Sequence, residues 1–455
     1  MTVTHRSLSI ATESSFGSLQ ANGIPGPTGL TWLSMPVERD PIVSYGDPVF
    51  NERNQARDSS TFLPPEPDTM WDGNNARIHR RTGTVNLRMD ITTLGSGSGE
   101  TDYSNTAIGQ LLGAFFKSYT PGLQGAQEVT IDGTNANKIT ATSVTTVEEL
   151  VSGCLFGYKN AGGITEYSAI TAANVGVGHI SSFSPALTAG TGSDIDIYPM
   201  QTFFPGIQLE SGEVLSSVAF RVDGQAFRTY AFGCVGTQLQ ILVEGGRVML
   251  DATLQAAFIT DDHDGSYYSE AFNGPVEPQP LPGPVQHFRG ARVTLSNAAV
   301  VHSRSDAAGS FGETQARREF KTETFSITVT NSVQPLAHST SILTMSGMEV
   351  VQVNVEASVT LSDPDTVIKN DFRDQVIRQL MISTGPLLSS GGTGCCFFIP
   401  AAFLTVDPRK YEITGDDSIV KQTLTYKHAR FGGDIKASGA VDVPSNSFFR
   451  IGLGL

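Results

Sequence analysis

Charge is scarce in this chain of 455 residues: Asp, Glu, Lys and Arg together make up 16%, against roughly 25% in an average soluble protein. Basic residues are scarcest, 30 Lys and Arg against 45 Asp and Glu, for a net charge of −15. A surface of that sign repels nucleic acid and anionic membranes, which argues against tight DNA binding through phosphates. Cysteine is limited to Cys154, Cys234, Cys395 and Cys396. One vicinal pair and two scattered thiols match neither a zinc spacing nor a disulfide framework, so buried, reduced thiols are expected. No window approaches the length of apolar run that spans a membrane, and Met1 to Leu19 lacks the basic and apolar regions of a signal peptide. A soluble protein that is not exported by the usual route is expected.

What is abundant is turn-forming residues, with 47 Gly and 23 Pro. Together with 39% hydrophobic residues they predict many short strands, and the length predicts two or three domains. The clearest pattern is a repeat. Val85, Leu87, Met89 and Ile91 alternate with Asn86, Arg88, Asp90 and Thr92, and Val351, Val353, Val355, Ala357 and Val359 alternate with Gln352, Asn354, Glu356 and Ser358. Period two predicts half-buried strands. Each strand leads through a polar loop to a helical stripe: Ile108, Leu111, Leu112, Phe115 and Phe116 in the first case, Ile368, Phe372, Val376 and Leu380 in the second. Aligned in order, Ile108, Leu112 and Phe116 match Phe372, Val376 and Leu380. Both copies then reach a Phe-Phe pair near proline, Phe203-Phe204-Pro205 and Phe397-Phe398-Ile399-Pro400, followed by alternating stretches at 214–222 and 419–428. An upstream strand, Ser7 to Ile10, resembles Thr324 to Ile327.

The copies differ by insertions. Residues 122–200 predict a separate small β unit, with strands at Glu149–Val151, Thr165–Tyr167, Ala169–Thr171 and Asp196–Tyr198. Residues 23–80, rich in proline and asparagine, read as a long arm that lies on a partner. Gln238–Val243 and Arg247–Phe258 predict a hairpin turning at Gly245-Gly246, and Asp261 to Gly283 a linker between halves.

Catalytic signatures are weak. Gly95-Ser96-Gly97-Ser98-Gly99 lacks the lysine of a phosphate loop, and a flexible turn is expected there. Asp261-Asp262-His263-Asp264 offers hard ligands for calcium but reads as a solvated acidic loop. There is no Gly-x-Ser-x-Gly elbow and no paired histidines. Arg77-Ile78-His79-Arg80-Arg81, the one basic cluster, reads as an exposed loop or as a contact with an acidic neighbouring subunit. No catalytic residue, cofactor or metal is assigned, and an enzyme is not expected.

The duplicated strand–helix–strand unit with a β insertion resembles the tail tube (major tail) proteins of long-tailed bacteriophages. The likeness is carried by Ser9-Ile10-Ala11-Thr12-Glu13-Ser14-Ser15-Phe16-Gly17, by Arg81-Thr82-Gly83-Thr84-Val85, by Thr324 to Asn331, and by Phe398-Ile399-Pro400 with Gln422-Thr423-Leu424-Thr425-Tyr426. It covers most of the chain and rests on pattern and order. It implies a mainly β fold: two tandem β-sandwich or half-barrel tube domains, each with one packed helix, plus the small β insertion domain. The boundaries would be 1–121 with 200–265, 122–199, and 266–455. It also implies stacked rings, trimeric with pseudo-sixfold symmetry or hexameric, with tape-measure and tail-terminator proteins as partners and viral DNA passing transiently. An acidic or neutral channel wall would let a genome slide, and Asp90, Asp251 and Glu356 on the polar strand faces become candidates for the channel or for subunit contacts. The alternative expectation is another virion β-protein, a baseplate, tail-tip or adhesin component that binds a host-surface glycan.

Overall fold

A computed structural model describes residues 7–18, 25–37, 42–45, 82–94, 102–122, 125–133, 138–141, 151–160, 165–173, 180–185, 187–205, 216–224, 228–262, 285–288, 291–297, 317–320, 322–337, 345–362, 368–384, 394–408, 411–414, 419–429, 431 and 447–454. The protein is mainly β. Its first strands are β1 (Ser7–Thr12), β2 (Leu33–Met35), β3 (Ile42–Tyr45), β4 (Gly83–Asp90) and, after helix α1 (Ala107–Gly113), β5 (Phe116–Tyr119). The inserted region holds β6 (Gln127–Ile131), β7 (Lys138–Ala141), β8 (Leu155–Lys159), β9 (Thr165–Ala173) and β10 (Ile180–Ser184). Next come β11 (Asp194–Pro205), β12 (Val218–Asp223), β13 (Arg228–Glu244), β14 (Arg247–Ala256), β15 (Phe258–Asp262), β16 (Arg292–Asn297) and β17 (Arg317–Phe320). The remainder is β18 (Thr322–Ala337), β19 (Met345–Leu361), α2 (Ile368–Arg373), β20 (Arg378–Thr384), β21 (Cys395–Leu404), β22 (Tyr411–Thr414), β23 (Ile419–His428) and β24 (Arg450–Gly454).

Eight strands form one antiparallel ladder in the order β3-β4-β14-β13-β18-β19-β23-β22. Its first four members and its last four follow the same rule: a strand, the next strand in the chain as its antiparallel partner, then a later pair that adds in reversed chain order. A second ladder runs β5-β11-β24-β21-β20-β16-β17. The inward faces of both ladders feed one core, where Val85, Leu250, Ile241, Ile327, Val355 and Leu424 of the first meet Phe203, Ile451, Phe397, Ile382 and Leu295 of the second. Alternation explains the first ladder: residues of even and odd number leave a strand on opposite faces, so one face is buried and the other stays polar.

The C-terminal strand is the seam. Ile451 lies opposite Phe203 on one side and Phe397 on the other, so both Phe-Phe motifs flank the same residue. Tyr103, fully buried, donates its hydroxyl to the Gly454 carbonyl at 2.7 Å and ties the turn before α1 to this strand. On the opposite face, Leu155 and Tyr167 of the insertion pack with Met200, Met381, Cys396 and Phe398. Gly452 permits this, since a Cβ there would stand 3.0 Å from the Leu155 side chain and 2.9 Å from the Cys396 sulfur.

The insertion itself is a closed barrel. Its strands pair β6-β7-β10-β9-β8-β11 and β11 returns to β6. Val129, Ile131, Ile139, Phe156, Ile170 and Ile197 fill it. Strand β11 leaves the barrel at Pro199, its last partner there being Phe156, and continues into the second ladder from Met200. A proline at the exchange point fits, because it has no N–H to give a ladder. A side sheet, β2-β1-β12-β13-β15, branches from the first half of β13. The switch between sheets falls at Gly233, whose φ of +63° is open to glycine.

Several expectations need correcting. The first helical stripe is cut short: α1 ends at Gly113, and Phe116 begins a strand opposite Pro205. The second is shorter still, since Gln375 takes a left-handed φ of +50° that stops α2, and Leu380 belongs to β20. The two apolar stripes therefore serve helix and strand in turn. Ser7–Ile10 and Thr324–Ile327 do not hold equivalent places: β1 pairs with β12 and β2, whereas β18 pairs with β19 and β13. Val351 does not share the buried face, because the register slips between Ser332 and Val333 and leaves it 46% exposed. In the insertion, Thr165–Tyr167 and Ala169–Thr171 are one strand, β9. Part of the 23–80 arm pairs within the chain, through β2 and β3. The hairpin at Gly245-Gly246 forms as expected, with φ of +58° and +77° at its two glycines, though Phe258 belongs to β15.

Candidate functional site: the polar ladder face and its margins

The outer face of the eight-stranded ladder brings Asp90, Asp251 and Glu356 onto one surface. Cross-strand register arranges this surface in rows. One row reads Arg88, Asp251, Gln240, Thr328, Glu356, Lys427 across six strands. The row beside it is Asp90, Met249, Leu242, Ser326, Ser358, Thr425. On the other side runs an uncharged row of Asn86, Thr253, Gln238, Thr330 and Asn354, where the Thr253 hydroxyl donates to Asn86 at 2.8 Å. Two of the three expected carboxylates thus share a row, and the third stands one row away.

Each carboxylate has a cation nearby. Arg247 donates to Asp90 at 2.8 Å, and Arg88 forms an ion pair with Glu244. Asp251 sits directly opposite Arg88, and Glu356 directly opposite Lys427. At the margin of the face, Lys421 reaches Glu323 at 2.6 Å. Nothing in the sequence signalled these pairings, although Arg88 stands in the same alternating run as Asp90 and Lys427 in the alternating stretch at 419–428. Their pairing depends on register between strands far apart in the chain.

The margins of this ladder are the second feature. Among the described residues, β3 pairs with β4 and with no other strand, and β22 pairs with β23 and with no other. Following the alternation of directions, β22 and β3 run antiparallel to each other, as β13 and β18 do where they join the ladder's two halves. An open strand margin presents a row of unpaired backbone donors and acceptors.

Elsewhere, Glu13 and Asp371 are buried carboxylates tied into the fold. Glu13, in the first segment of the family resemblance, accepts from Gly17 N at 3.0 Å, Gly233 N at 3.0 Å and the hydroxyls of Ser18 and Ser217. Burial raises its pKa above the usual carboxylate value, while these donors pull it back. Asp371 of α2 takes two bonds from Arg378 of β20 at 2.7 and 2.9 Å, fixing helix to strand. All four cysteines are buried and free, and burial pushes their thiols up, which makes them poor nucleophiles. Among the described residues no three His, Cys, Asp or Glu side chains converge on a metal geometry, and no helix is long and apolar enough to cross a membrane. Arg77–Arg81, Gly95–Gly99, His263 and Asp264 lie outside the described residues, as does most of the expected linker.

Compared with known proteins, the sequence matches no family model and no curated sequence.

Proposed function

We propose that this chain is a structural subunit that polymerises through its ladder margins into stacked rings, forming a tail tube through which a viral genome passes. The observation that carries the reading is the repeated strand rule of the eight-stranded ladder, whose two end strands run in the sense needed to continue it from copy to copy. On this reading the two halves are tandem tube domains, each with its helix and its Phe-Phe strand, and the β13–β18 junction inside one chain is the template for the β22–β3 junction between chains. The polar face then lines the channel, and the inserted barrel sits on the outside. Pairing two four-residue strands adds about four hydrogen bonds, each worth ~1 kcal/mol net. That is weak for one junction. It becomes effective when every subunit in a closed ring makes the same contact. Trimeric rings with pseudo-sixfold symmetry follow if the two halves are equivalent, and hexameric rings if they are not.

The test is direct. Purified protein, concentrated and viewed by negative-stain microscopy, is expected to give rings or tubes with a central channel. Monomers alone at high concentration would overturn the reading. A baseplate or tail-tip role would instead give one discrete oligomer with no repeat along its axis.

A further inference from the structure

We infer that the polar ladder face is a charge-compensated surface that neither holds nor repels a polyanion, and that Asp251 and Glu356 set its balance. The inference rests on the tube reading for its purpose, but its chemistry can be tested without it. The whole chain carries a net charge of −15. An acidic wall would be the simple way to keep phosphates from sticking, and the chain has acid to spare. The face does not use it. Across the four rows from Asn86 to Arg247, the charged residues are Arg88, Arg247 and Lys427 against Asp90, Glu244, Asp251 and Glu356, three cations against four carboxylates. The remaining positions are mostly Ser, Thr, Asn and Gln, which hydrogen-bond water and carry no charge.

Position matters as much as number. Residues directly opposite across an antiparallel pair have Cβ atoms ~4.5–5.5 Å apart, and the Arg247–Asp90 contact is closer still at 2.8 Å. Charges so paired look neutral beyond the Debye length of ~8–10 Å at ordinary salt. A phosphate backbone moving past therefore meets short dipoles and bound water. Without Asp251 and Glu356, Lys427 would stand in that row without the carboxylate opposite it, and Arg88 would keep only Glu244, so the row would turn basic, the kind of site that captures phosphate by releasing counterions. With only acids in that row, passage would be resisted at low salt and eased at high salt. The compensated row makes passage insensitive to salt.

The experiment uses the full chain as unassembled subunits, in which Glu356 is exposed and Asp251 half-buried, and a short fluorescent DNA duplex read by anisotropy at low and at physiological salt. Three proteins are compared: wild type, the double variant Asp251→Lys with Glu356→Lys, and a control, Glu128→Lys with Asp196→Lys. The control makes the same change in net charge on exposed positions of the inserted barrel. Wild type and control are expected not to bind. The ladder variant is expected to bind at least tenfold more tightly than the control, with binding abolished by salt. Glu356→Lys alone, at an exposed position, is expected to shift in the same direction and guards against misfolding of the double variant. DNA binding by wild type at low salt, or equal binding by the ladder and control variants, overturns the inference. Absence of tubes from wild-type protein overturns the tube reading and leaves the charge result standing.

Discussion

The inserted barrel and the eight-stranded ladder are made of the same material, short antiparallel strands with one apolar face, yet they finish differently. In the barrel the last strand, β11, returns to the first, β6, and six strands seal one another around Ile131, Phe156 and Ile170. Among the described residues the ladder has no such return: β3 and β22 end it at opposite margins. Sealing removes the strand margins that invite another chain, whereas open margins are a hazard unless a partner pairs them. On the proposed tube reading, the barrel is a closed unit carried by a subunit whose ladder is completed by its neighbours. It is also anchored so as not to interfere, through β11 on one side and through Leu155 and Tyr167 on the back of the C-terminal seam.

The sharpest way to break this contrast is to spoil one open margin. Replacing Glu412 and Ile413 together with proline removes two successive backbone donors from β22, one of which must face outward. Loss of all polymer in micrographs, with a near-normal melting curve, is expected. Polymer formation by the double variant would show that the margin is not the contact. Next in size is the seam. Ile451→Ala empties a fully packed position flanked by Phe203 and Phe397, and a loss of about 2–5 kcal/mol is expected in denaturant unfolding. Ile170→Ala in the barrel should cost a similar amount by the same scale but leave assembly intact. Equal damage to assembly by both would erase the distinction between the two regions.

A smaller effect comes from pH. The Val355 N–H donates to Nδ1 of His428 at 3.1 Å, and burial depresses the pKa of this imidazole below its usual 6.5. The unfolded chain therefore takes up the proton first as pH falls. Its stabilising contribution is complete above pH ~6.5 and declines as pH drops toward the folded value. His428→Gln should flatten the acid side of the melting-temperature profile, while the barrel, which shares no contact with this residue among those described, keeps its own profile. An unchanged slope in the variant would remove His428 from the account. Glu13 has the opposite sign. Its raised pKa means that ionisation works against the fold as pH climbs past the unfolded value near 4.5, so Glu13→Gln is expected to alter stability more at neutral pH than at pH 4.

How much of this was legible in the residues depends on how local the signal was. Alternation at 84–92 and 351–361 marked two long strands, found at Gly83–Asp90 and Met345–Leu361, and Gly245-Gly246 marked its hairpin, because period and turn chemistry act within a few residues. The helices were overread. Phe116 and Leu380 continue a helical spacing on paper, but each finds a better place on a strand beside a Phe-Phe motif, and packing outweighs periodicity in a segment of two turns. The short end strands, Ile42–Tyr45 and Tyr411–Thr414, are too brief to announce themselves. The closing of the barrel could not be read at all, since β11 meets β6 and β8 across more than 30 residues of intervening chain.

Alone, then, the sequence determined that this is a β protein with an inner apolar and an outer polar face on its main strands, because side-chain alternation is a property of the strand itself. Which strands are neighbours, which carboxylate stands against which cation, and which margins stay open were decided only by the tertiary structure. Those are matters of register between distant segments, settled when the core around Ile451 closes and fixes every strand that touches it.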